Sequence, residues 1–115
     1  MIKRLLLALA LIAPIAAFAQ STTPTRNGSV SITTGGTFQT ALAANDRRRG
    51  LTIQNNNTNN DNCWIYLGTL ASATTATAIL LAPGGSYQRY YPYIPRDIVN
   101  VTCATTSDSI YVDEN

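Results

Sequence analysis

Three groups of residues in this chain carry side chains able to do chemistry: an arginine triplet, a tyrosine cluster and a pair of cysteines. Arg47-Arg48-Arg49 runs directly into the apolar-polar alternation Gly50-Leu51-Thr52-Ile53-Gln54. A guanidinium presents a planar fork of donors that fits carboxylate or phosphate, and arginine is favoured over lysine at protein interfaces. The triplet reads either as an interface contact or as a solvated strand entry beside Asp46. The second group, Tyr87-Gln88-Arg89-Tyr90-Tyr91-Pro92-Tyr93, sets four tyrosines and Arg89 in seven residues. Such a patch is a candidate protein hot spot or sugar-stacking platform, with Trp64 as a further stacking candidate. At least one of its tyrosines is expected in the core. The third group, Cys63 and Cys103, is expected to form a disulfide if the chain is exported.

The composition removes most catalytic chemistries. The chain has no histidine, which excludes Ser-His-Asp and Cys-His arrangements. Two cysteines without histidine do not close a tetrahedral zinc site. The carboxylates Asp46, Asp61, Asp97, Asp108, Asp113 and Glu114 are scattered, and the Asn57–Asp61 stretch lacks the later Glu of a calcium loop. No catalytic residue, metal ligand or cofactor is assigned, and the reading is non-enzymatic.

The elements that must position these groups are short. Residues 1–19 combine Lys3 and Arg4, the apolar run Leu5–Ile12 and the small-x-small site Ala17-Phe18-Ala19, the layout of a cleavable secretory signal peptide. A secreted or periplasmic location follows, with no membrane association after cleavage. Residues 20–28 are rich in Ser, Thr and Pro and are expected to be a flexible arm. The formal charge of +2 is carried by Lys3 and Arg4; residues 20–115 hold six arginines and six acids. That neutrality makes nucleic acid an unlikely partner and is compatible with assembly.

Residues 29–115 read as one all-β domain. Seven or eight short stretches of β-branched and aromatic residues alternate with Gly, Pro and Asn signals at about 8–12 residue spacing, the pattern of a small antiparallel sandwich or barrel. Phe38 is expected inward in a strand 37–42. Leu51 and Ile53 share one face of their strand, and Cys63, Ile65 and Leu67 one face of the next, with Trp64 and Tyr66 on the other. The asparagine-rich tract 55–62 is expected to be a surface loop joining these two strands as a hairpin. The stretch 68–77 is expected to pair in part as a sheet edge, and Asp113-Glu114-Asn115 to be a solvated tail.

Three segments together carry a family resemblance: Arg48-Arg49-Gly50-Leu51-Thr52-Ile53-Gln54-Asn55-Asn56, then Ile65-Tyr66-Leu67-Gly68, then Ile79, Leu81 and Pro83-Gly84-Gly85 with Tyr87. From about residue 38 to 112 the chain resembles small β-proteins of phage and prophage structural regions, the capsid-decoration, head-fibre and tail-accessory domains. The resemblance implies a β-sandwich or jelly-roll-like module that works by assembly with other protein subunits, in a virion, and it brings no catalytic residues. The signal peptide and the cysteine pair depart from that pattern. The rival reading is a secreted carbohydrate-binding module, with polysaccharide as partner and the tyrosine patch as its platform.

Overall fold

Alternating apolar positions become strands where a partner strand can bury one face, and the computed structural model of the protein contains eight among its described residues. It describes residues 26–56, 58 and 60–115; the expected signal peptide and residues 20–25 of the expected arm lie outside the described residues. The strands are β1 (Arg26–Ser31), β2 (Gln39–Leu42), β3 (Gly50–Gln54), β4 (Cys63–Leu67), β5 (Ile79–Leu81), β6 (Ser86–Tyr90), β7 (Val99–Cys103) and β8 (Ser109–Glu114). Residues 26–28 of the expected arm therefore belong to β1, where they pair with the end of β8.

The pairing scheme is that of a jelly roll. β1 pairs with β8, β2 with β7, β3 with β6 and β4 with β5, all antiparallel. The described chain is thus one long hairpin of eight strands, rolled up so that every step along the chain crosses to the opposite sheet except β4 to β5, the hairpin at its tip. The β3–β8 and β4–β7 pairings complete two four-stranded sheets, in the orders β1-β8-β3-β6 and β2-β7-β4-β5.

This topology corrects the expected hairpin between residues 50–54 and 63–67. β3 and β4 lie in different sheets. Leu51 and Ile53 enter the core from one side, Cys63 and Ile65 from the other. Packed sheets lie about 10 Å apart, a span that the 55–62 link covers easily. Asn56, Thr58, Asn60 and Asn62 of the link are exposed, as expected of a surface loop, but its first residue is not. Asn55 is buried; its Nδ2 donates to the carbonyls of Asp61 (2.8 Å) and Leu81 (2.9 Å). Its own backbone N–H and C=O are bound by Gly85 and Gly84 of the β5–β6 turn. That turn closes through the Gly85 N–H on the Ala82 carbonyl, with Gly84 at φ 77°. Pro83-Gly84 at its corners is the type II signature, whose third position needs a positive φ. Asn55 is therefore a polar plug that closes one end of the sandwich.

The face assignments within β3 and β4 hold: Leu51, Ile53, Cys63 and Ile65 are buried, Leu67 packs against the core, and Trp64 and Tyr66 are half-buried on the outer side. In β2 a register shift between Thr40 and Leu42 turns both Ala41 and Leu42 inward, and Phe38 is half-buried ahead of the strand. Residues 68–77 form a 3-10 turn (Leu70–Ser72) and a second turn rather than a sheet edge; β5 takes that edge. β7 is buried at every position. Its outward Asn100 accepts from Thr40 Oγ1 and donates to the Gly68 carbonyl, so burying this amide leaves its hydrogen-bonding groups satisfied.

Cys63 and Cys103 face each other across β4 and β7 and form a buried disulfide. It sits at the Asn55 end of the sandwich and closes a loop with sequence separation 40.

An arginine-lined depression at one end of the sandwich

The opposite end is closed by Arg48. Asn45 starts a turn there: its Oδ1 accepts from the Arg47 N–H (3.0 Å) and its carbonyl from the Arg48 N–H (3.2 Å). Successive side chains then alternate. Arg47 points out, Arg48 in and Arg49 out, before Gly50 opens β3.

Arg48 is fully buried, which corrects its expected place among the interface residues. Its Nε donates to Glu114 Oε2 at 2.7 Å. Nη1 donates to the carbonyls of Pro95 (2.7 Å) and Asp97 (3.1 Å), and Nη2 to that of Ala43 (3.0 Å). A buried guanidinium is tolerated only when its charge and its N–H groups are matched in this way. The same contacts correct the expected solvated tail. Glu114 is buried within β8, and the Asn115 backbone pairs with Arg49 and Gly50.

Arg48 therefore ties three segments together: the exit from β2, the end of β8 and the loop before β7. The Asn45 N–H adds a bond to the Arg96 carbonyl (2.9 Å). These ties bring Asp46, Arg47, Arg49 and Arg96 around a depression of about 410 Å³, with Arg48 at its base and Tyr91 in its wall. Among the described residues the side chains of Arg49 and Arg96 have no hydrogen-bond or ion-pair partner. Arg96 was not singled out from the sequence. A lone arginine between Pro95 and Asp97 carries no local signal, and its place at the rim depends on the Arg48 and Asn45 contacts.

The tyrosine cluster divides. Tyr87 packs against the core. The Arg89 guanidinium lies 4.5 Å from the Tyr87 ring centroid and donates to the Gln88 carbonyl, away from the depression. Tyr90, Tyr91 and Tyr93 are 61%, 67% and 84% exposed. They share a tight bend: the Tyr91 N–H bonds the Arg49 carbonyl, and the Tyr93 N–H bonds that of Tyr90. Ile94, buried, anchors the segment. Trp64 lies elsewhere, in β4 of the other sheet, next to the disulfide and opposite Leu80. The expected stacking platform of three tyrosines with Trp64 is therefore not one surface.

Among the described residues no three His, Cys, Asp or Glu side chains converge as a metal-holding group, and no helix is long and apolar enough to cross a membrane. No family model, curated protein or solved structure matches the chain.

Proposed function

We propose that the protein is a non-enzymatic interaction module that works by assembly with protein subunits, its own copies included, through the end of the sandwich that carries the arginines. One observation carries this reading: Arg49, Arg96 and Tyr91 line a single depression, with Tyr90 and Tyr93 exposed beside it. Exposed tyrosine next to arginine is the side-chain composition that dominates interface energetics. The jelly roll is used by viral capsid subunits, in keeping with the resemblance to phage structural proteins. Fold alone does not decide the matter, because lectins use it as well.

Size-exclusion light scattering over a wide concentration range tests the reading. An oligomer that dissociates when Tyr90, Tyr91 and Tyr93 are replaced by alanine supports it. A monomer at every concentration that is retained on a polysaccharide matrix, and released by Tyr91→Ala, overturns it in favour of a secreted carbohydrate-binding module. The high exposure of the three tyrosines is what favours that second reading.

A further inference from the structure

The depression has a chemistry more specific than an interface in general. Its lining holds four arginines and one aspartate, a side-chain charge of +3, and Glu114 behind Arg48 lowers this to +2. Four arginines, Arg47, Arg48, Arg49 and Arg96, gather at this end, with Asp46, Asp97 and Glu114 close by. The other end carries Asp61 and Asp108 and, among the described residues, no arginine. The domain is therefore polarised although its charges balance, and the local field draws an anion to one place.

Arg48 takes no part in the binding itself, since its donors already serve Glu114 and three carbonyls. It holds the loops that display Arg49 and Arg96, whose donors have no partner among the described residues. Tyr91, largely exposed, lines the same depression. A volume of about 410 Å³ lies within the range of specific small-ligand sites, roughly 300–1,000 Å³.

We propose that this depression is a carboxylate-binding site, and that an acidic segment of the partner polypeptide supplies the carboxylate. The proposal rests on the assembly reading and names the group that the partner presents. Three features select the ligand. The planar forks of Arg49 and Arg96 match the two oxygens of a carboxylate. Asp46 on the rim repels a dense polyanion and leaves a small net positive charge, suited to one or two carboxylates. The balanced charge of residues 20–115 gives no extended basic surface on which a nucleic-acid backbone could lie.

The test titrates the protein in its disulfide form with a hexaglutamate peptide, with inorganic phosphate and with polygalacturonate, at low and high salt. The hexaglutamate is expected to bind at low salt and to weaken as salt screens it. Arg49→Ala with Arg96→Ala is expected to weaken it by about tenfold or more, since charged hydrogen bonds are lost. Arg89→Ala, outside the depression, is expected to change nothing. Both rim arginines are exposed, so thermal melts of the double variant should match the parent.

Three results overturn the proposal: no hexaglutamate binding at low salt, binding that survives the double substitution, or phosphate bound as tightly as the peptide. Polygalacturonate bound in place of the peptide overturns it too, and with it the assembly reading. Assembly seen by light scattering that persists in the double variant removes the carboxylate site and leaves the assembly reading standing.

Discussion

Arg48 and Asn55 are polar side chains doing the work of core residues, each at one end of the sandwich. Removing Arg48 strips the buried Glu114 of its counter-charge and three carbonyls of a donor. Breaking a buried pair from one side costs about 3–5 kcal/mol, because the remaining charge stays desolvated. Arg48→Ala is expected to lose that much in urea unfolding, and Arg48→Lys to recover only part of it, since one ammonium cannot reach four acceptors in a planar fork. A cost below about 1 kcal/mol would mean that water enters and solvates Glu114. Asn55→Ala removes one side chain from two carbonyl acceptors and is expected to cost about 1–3 kcal/mol by the same measurement. Neither role was legible in the sequence. Arg47, Arg48 and Arg49 are chemically identical there, and what sets Arg48 apart is a carboxylate 66 positions away. Asn55 looked like the first of a run of loop asparagines. Its distinction comes from Leu81, 26 positions on, whose carbonyl needs a donor.

At the scale of elements, period-two alternation located most of the strands and the inward faces of β3 and β4. These signals are local, since they depend on side-chain direction within a few residues. Which strands pair is not local. A polar link of several residues can turn back as a hairpin or cross to the facing sheet, and only the rolled topology, which puts β8 and β6 on either side of β3, decides between them. Burial across a strand pair is similarly uneven. Ile65 in β4 and Ile79 in β5 are register partners, yet Ile65 is fully buried and Ile79 is 38% exposed at the sheet edge. Ile65→Ala is expected to cost about 2–5 kcal/mol, the range for a cavity in a packed core. Ile79→Ala is expected to stay near 0.5 kcal/mol, the usual range for surface positions. Equal costs in chemical denaturation would show that the β5 edge is covered in solution, as it would be by a second chain.

The whole molecule is a roll fastened differently at its two ends: by the Arg48 ion pair at the end with the depression, by Asn55 and the disulfide at the other. The disulfide joins neighbouring strands, β4 and β7, which already pair through their backbones. Its contribution therefore comes mainly from the unfolded chain, where closing a loop of this length removes about 4 kcal/mol of conformational freedom. A domain of this size has a total stability of only about 5–15 kcal/mol, so reduction should leave it folded in buffer yet lower its melting temperature by roughly 15–30 °C. Loosening should also be confined to one end. The Ala104 N–H, held by the Asn62 carbonyl beside the disulfide, is expected to exchange faster with solvent after reduction. The Tyr91 N–H, held by the Arg49 carbonyl at the other end, is expected to speed up only by the share that global unfolding sets. Equal acceleration at both amides would show that the sandwich opens as one unit, with the arginine end depending on the disulfide for its shape. Protection retained at Tyr91 would show that Arg48 and its partners hold the depression in place whether or not the cysteines are oxidised.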